Sequence, residues 1–200
     1  MRKLLFFIGP AGAGKTTLAA AWARRYGGAF LDMDTLLRPA AEAIMTLARQ
    51  DPTDRDSPFY KKHCRDLGYR ITMDAALENL KLGLDALVIG PFTRESEDPL
   101  WLERELARIG ADTESVQVRV LFVHLPDEAA YYERIRARGL ALDAWKLDNW
   151  AQFRPSLARR TIKWELDPAH VCYWDNAAPL SEERLAELAA FILGEEPSGL

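Results

Sequence analysis

The sequence predicts an α/β sandwich of three layers, a parallel sheet of about five strands with helices on both faces. Three observations lead there: short apolar runs alternate with longer stretches of helical period, the first run is unbroken, and turn residues punctuate the boundaries. Leu4–Ile8 is that first run, and continuous apolarity is what a strand covered on both faces requires. Thr16–Tyr26 reads as a helix stopped by Gly27-Gly28, and Ala29–Met33 as the second strand. The spacing then predicts a helix from Pro39 to Arg49, with the proline in its first turn. A polar loop, Asp51–Pro58, precedes helical stretches over Phe59–Asp66 and Ile71–Leu82. Ala86–Ile89 is the third strand, ended by Gly90-Pro91, and a helix over Pro99–Ile109 leads to the strand Val118–Leu125. Asp127–Arg138 is helical up to Gly139, and the helical pattern resumes over Asp143–Phe153. Val171–Trp174 is the last strand, Ser181–Leu193 the last helix, and Glu195–Leu200 a frayed tail.

The chain has 200 residues, within the ~250–300 at which a single hydrophobic core stops growing. With 48% hydrophobic and 28% charged residues, it excludes disordered, collagen-like and coiled-coil classes. A net charge of −4 argues against nonspecific duplex binding, so nucleic acid is not an expected partner. Cys64 and Cys172 are far apart, which fits a reducing compartment better than a disulfide framework. No apolar run approaches the ~20 residues of a membrane span. Arg2-Lys3 ahead of Leu4–Ile8 is not read as a signal peptide, because the apolar core is short and Gly9-Pro10 follows at once. The expectation is one cytoplasmic domain over residues 1–200, monomeric or homodimeric, without a membrane partner. His63, His124 and His170 have no ligand spacing, and tryptophans at helical spacing read as core.

Gly9-Pro10-Ala11-Gly12-Ala13-Gly14-Lys15-Thr16 fits the phosphate-loop pattern GxxxxGK[ST], set between a buried strand and a helix as its mechanism requires. The glycines let successive backbone N–H groups turn inward around a phosphate, and the helix adds its positive N-terminal end. Gly9, Ala11, Gly12, Ala13, Gly14, Lys15, Thr16 and Thr17 form the expected nucleotide cradle. Lys15 would reach the β- and γ-phosphates, and the Thr16 hydroxyl would sit on Mg²⁺. The sandwich is therefore expected to be of the P-loop NTPase kind, with ATP and Mg²⁺ as cofactors. GTPase signatures of the DxxG and NKxD type are absent, as is an LSGGQ stretch, and Asp127-Glu128 after Pro126 reads as a helix start. The small kinases remain.

Asp32 and Asp34 end the second strand, and strand alternation would put both on one face beyond its carboxyl end, where open α/β sheets bind ligands. The structural alternative is that Asp34 caps the next helical segment and Asp32 makes a surface hydrogen bond. A phosphate loop followed by this Asp-x-Asp resembles the small-molecule kinases that include shikimate and gluconate kinases, and the zeta-toxin-like and chloramphenicol-phosphotransferase-like kinases. The resemblance implies that Asp34 orients or deprotonates the acceptor hydroxyl and Asp32 organises the metal's water shell; exchange of the two roles stays open. It also implies a strand–helix–lid passage in which Arg134 lies over the adenine and Arg138 reaches the phosphates. The loop after the last strand, containing Asn176, would hold the base.

The lid, about residues 139–146, lacks the second arginine cluster of adenylate kinases, and Lys146 is its nearest cation. A helical insertion, about residues 38–83, would cover the acceptor. Arg38 follows Asp34 by four residues, an acid–arginine pairing similar to that of 5′-hydroxyl polynucleotide kinases. Phe92 and Arg94, beyond the third strand, are expected in the same crevice as apolar wall and anion clamp. The function expected is ATP-dependent phosphoryl transfer to a hydroxyl of a small molecule: a sugar, a nucleoside or an antibiotic-like compound. The alternatives are a 5′-hydroxyl nucleic-acid kinase and a nucleotide-gated regulatory ATPase.

Overall fold

Five strands, β1 (Arg2–Ile8), β2 (Ala29–Asp32), β3 (Ala86–Gly90), β4 (Val116–His124) and β5 (Val171–Asp175), form one sheet in the computed structural model, which describes residues 1–140 and 143–194. The sheet is parallel throughout, in the order β2-β3-β1-β4-β5. The helices described are α1 (Lys15–Tyr26), α2 (Met33–Leu47), α3 (Pro58–His63), α4 (Arg65–Lys81), α5 (Trp101–Ala107), α6 (Glu128–Arg138), α7 (Ala144–Asp148), α8 (Trp150–Phe153) and α9 (Glu182–Leu193).

The central position of β1 follows from its sequence. Leu4, Phe6 and Ile8 face one core, which α4 and α5 cover with residues such as Met73, Leu80 and Leu106. Leu5 and Phe7 face the other, covered by α1, α6 and α9 through Leu18, Trp22, Ile135 and Leu188. A strand whose two faces are both apolar is stable only with helices on each side, and the three expected layers are present. None of the described helices is long and apolar enough to cross a membrane.

The largest departure from the sequence reading is α2. It begins at Met33, directly off β2, and runs through Pro39. Asp32 starts it: its carboxylate accepts from the Asp34 N–H at 3.0 Å, a side-chain cap. Met33, Leu37, Ala41 and Met45 are buried at every fourth position, so the apolar face continues through the proline, whose ring is exposed. That face, together with the cap, outweighs the roughly 3 kcal/mol by which an interior proline disfavours a helix. Gly68 lets α4 approach α2, since a Cβ there would lie 2.8 Å from Leu37 Cδ2.

Between α8 and β5 the chain returns across the carboxyl edge of the sheet as a strap. Arg160 Nη2 donates to Pro91 O at 2.8 Å, Trp164 Nε1 to Glu95 O at 2.7 Å, and Lys163 N to Ser96 O at 2.9 Å. Trp164 is buried, stacked on Trp101 at 5.3 Å and packed against Phe6 at 4.8 Å between ring centroids. The frayed tail expected over Glu195–Leu200, and residues 141 and 142 of the expected lid, lie outside the described residues.

Phe6 thus joins the sheet to the aromatic cluster under the strap. Phe6→Ala is expected to destabilise the fold by about 3–5 kcal/mol, read as a lowered midpoint in urea unfolding.

Candidate active site

The turn between β1 and α1 places the loop Gly9–Lys15 at the carboxyl edge of the sheet. Gly14, the residue before α1, has φ +94°, and a Cβ there would lie 2.3 Å from Asn176 Nδ2, so only glycine fits. Asn176 Nδ2 donates to Ala13 O at 2.8 Å, and Arg134 bridges Ala13 O at 3.4 Å and Asn176 O at 2.9 Å. The loop is therefore tied to α6 and to the turn after β5. Beside these ties lies a cavity of about 210 Å³, lined by Gly14, Thr17, Leu18, Arg134, Asn176 and Pro179. Its lining mixes the polar side chains of Thr17, Arg134 and Asn176 with the apolar Leu18 and Pro179, a combination that suits a planar heterocycle.

Lys15 closes the loop on itself, its Nζ donating to Pro10 O at 2.7 Å. Burial drives its pKa down to about 8, against Asp34 and Asp32, which favour the charged form; Arg138 and Arg160 disfavour it further. Two carboxylates and two guanidiniums therefore surround one ammonium. The first N–H groups of α1 have no acceptor within their own helix, so this end of the site is built to receive an anion.

Asp32 and Asp34 do not share a strand face. Asp32 ends β2 and is buried, whereas Asp34 is the second residue of α2 and exposed. Asp32 is fully engaged, accepting from Thr16 Oγ1 at 2.8 Å as well as capping α2. Asp34 gives only its backbone N–H to that cap, and its exposed carboxylate accepts no hydrogen bond among the described residues. The expected alternative, a cap by Asp34, is reversed: Asp32 is the cap. Thr16 and Asp32 present two hard oxygens side by side, and no group of three or more His, Cys, Asp or Glu assembles elsewhere among the described residues. So sparse a donor set fits Mg²⁺, which keeps several waters and takes phosphate oxygens in place of a protein cage.

Residues 4–159 match the AAA domain family AAA_33. The chain belongs to that family. As an AAA domain it has the nucleotide cradle in the expected place, between β1 and α1. Similar solved structures include a sugar kinase from Janibacter sp. HTCC2649, at 19% identity over 99% of this chain and 98% of that one, with a TM-score of 0.62. A protein from Chloroflexus aurantiacus J-10-fl aligns at 14% identity over 98% of both chains, with a TM-score of 0.69. Shikimate kinase from Bacteroides thetaiotaomicron aligns at 13% identity over 96% of this chain and 98% of that one, with a TM-score of 0.52. At such identities the likeness establishes a shared fold. No curated protein matches the sequence.

The other expected site residues divide. Arg138 lies near Lys15, but its guanidinium is paired to Asp143 through Nε and, at 2.7 Å, through Nη2. Arg38 and Arg94 are exposed, and their side chains make no hydrogen bond or ion pair among the described residues. Phe92 is a correction: with φ +44° it is fully buried against Phe6, Tyr69 and Trp101, so its ring belongs to the core and cannot wall a crevice. The sequence reading missed Arg160, whose Nε is buried without a hydrogen-bond partner among the described residues. It stands in an irregular segment, where no periodicity assigns a direction. Tyr60 was also missed: burial raises its pKa to about 12, with Arg55 opposing and Asp34 adding to the shift. Arg55 lies over the Tyr60 ring at 5.2 Å, so the segment before α4 brings both within electrostatic reach of Asp34's side of the site.

The depressed Lys15 pKa gives a signed pH dependence. A phosphate beside Lys15 raises its pKa, so binding near pH 8–9 takes up a proton, and affinity falls as pH rises through about 8. Calorimetric titration of ATP in buffers of different ionisation enthalpy is expected to show that uptake, and Lys15→Ala to remove it.

Proposed function

We propose that this AAA-domain protein transfers the γ-phosphoryl group of Mg²⁺-bound ATP to a hydroxyl of a small molecule. The observation that carries this reading is the division of labour between the aspartates. Asp32 is committed to Thr16 and the α2 cap, while the exposed Asp34 carboxylate is the strongest favourable charge acting on Lys15. An unengaged carboxylate facing the phosphate end of a nucleotide cradle is placed to accept a proton from an acceptor hydroxyl. Lys15, with Arg138 and Arg160 near it, supplies positive charge where the transferring group becomes more anionic.

Bound Mg²⁺ would bridge phosphate oxygens and neutralise their charge; Thr16 and Asp32 are the residues that would hold it. Arg134 and Asn176 would line the base site beside Gly14. The acceptor would enter between Asp34 and the segment carrying Arg55 and Tyr60, with Arg160 adding positive charge near Lys15. Phosphoryl transfer to a small acceptor is favoured over a nucleic-acid end by the net charge of −4, which disfavours the extended basic channel a polynucleotide needs.

An acceptor screen over sugars, nucleosides, antibiotics and oligonucleotide ends, read by ADP formation and product mass, tests the class. Phosphate release to water, unchanged by every acceptor, would mark an ATPase instead. With an acceptor in hand, Asp34→Asn is expected to lower kcat roughly 10²–10⁴-fold, the range for a general base. Its ATP affinity should stay near wild type, because the α2 cap uses the Asp34 backbone and not its side chain. Equal loss of ATP affinity would count against the base role. Lys15→Ala is expected to abolish turnover.

A further inference from the structure

We propose that Asp143 is the positioning residue that aims Arg138 at the terminal phosphate of a bound nucleoside triphosphate; this rests on reading Arg138 as a phosphate contact. The side chain of Asp143, at the start of α7, is only 2% exposed. It takes the guanidinium side-on: Arg138 Nη2 donates to Oδ1 at 2.7 Å and Nε donates to Oδ2. Lys146 Nζ donates to the same Oδ1 at 2.8 Å.

A guanidinium carries its N–H donors in a planar fork with two usable edges. Pairing through Nε and Nη2 consumes the side edge and leaves the end edge, Nη1 with the outer hydrogen of Nη2, for an oxyanion. Arg138 keeps 36% of its side chain exposed, so that edge is not packed away, and its charge acts on Lys15, where the phosphates belong. Asp143 is shared between Arg138 and Lys146, so the arginine's charge is not neutralised by a carboxylate of its own. Burial alone would raise the Asp143 carboxyl, yet the hydrogen bonds from Arg138 and Lys146 hold it below the ordinary carboxylate range. The carboxylate therefore stays charged at neutral pH and fixes the arginine in one orientation. Unpaired, an arginine in the last turn of a helix would sample many rotamers before finding the phosphate.

The contact is read by comparing affinities for the non-hydrolysable β,γ-imido analogue of ATP and for ADP, both with Mg²⁺, in equilibrium titrations. Arg138→Ala and Asp143→Asn are each expected to lower that preference roughly tenfold, about the worth of one charge-assisted hydrogen bond. The double variant should lose no more than Arg138→Ala alone, and Asp143→Glu, which keeps the charge, should recover part of the preference. Circular dichroism and thermal melting accompany each variant. If Asp143→Asn does not fold, Arg138→Lys carries the test, since it keeps the charge but cannot be held side-on, and it must lose the preference as Arg138→Ala does. Losses that add in the double variant, equal weakening of both ligands by Asp143→Asn, or an undiminished preference in Arg138→Lys would overturn the positioning role. If Arg138→Ala itself leaves the preference unchanged, the phosphate contact fails and the inference falls with it. If Arg138→Ala lowers the preference and a folded Asp143→Asn does not, only the positioning role falls.

Discussion

The ammonium of Lys15 sits where burial disfavours its charge, with Asp34 and Asp32 on one side of the balance and Arg138 and Arg160 on the other. With Pro10 O as the hydrogen-bond partner of Nζ, that charge is only partly compensated. A triphosphate in the loop would replace one neutral carbonyl by several anionic oxygens and relieve the repulsion among three cations at once. The charge gathered at the loop thus favours an anion, and the surrounding fold is what holds it in place. The loop cannot simply collapse onto the lysine, because Ala13 is held from outside by Asn176 and Arg134.

The same economy appears at the junction of β2 and α2. One carboxylate, Asp32, terminates the strand, starts the helix and binds the hydroxyl that opens α1. Helix initiation and the Thr16–Asp32 hydrogen bond beside the loop are therefore one structure, and an alteration of Asp32 would disturb both. This also explains why α2 tolerates Pro39 in its interior: the start is fixed by Asp32 and the register by Met33, Leu37, Ala41 and Met45, which leaves the proline on the outer face. By contrast, Asp34 has no architectural duty for its side chain. A residue free of structural obligation, at the mouth of an anion site, is one that chemistry can use.

Much of this was legible in the sequence, and the failures have physical causes. The cradle could be read because its mechanism demands glycines, a lysine and a hydroxyl in fixed order, and the five parallel strands because apolar runs are separated by helical stretches, although their order in the sheet could not. Arg134 and Asn176, which the resemblance assigns to the base, both line the cavity beside Gly14, and their role there rests on the proposed function. The start of α2 was missed because proline was weighted as a helix opener while Asp32, a better cap, was counted as strand. Phe92 was assigned to the crevice because it follows a strand end, but its positive φ turns the ring back into the core, and nothing in a sequence announces a left-handed phenylalanine. The pairing of Arg138 with Asp143 crosses a helix break, so neither i,i+3 nor i,i+4 spacing points to it.

Arg160 shows how an irregular segment can be as well placed as a helix. Its strap is anchored four residues later by Trp164, which is sunk in the aromatic cluster and hydrogen-bonded to Glu95 O, and its own Nη2 is fixed to Pro91 O. The guanidinium also lies over the Phe122 ring at 5.6 Å, so carbonyl, ring and buried anchor together fix its place. Burial lowers its pKa, opposed by Tyr69, Glu97 and Glu95, which marks a cation held in place by packing more than by a paired carboxylate. Such a group keeps its charge uncommitted. On the proposed reading, the charges of Arg160 and Asp34, which both act on Lys15, would bracket the acceptor.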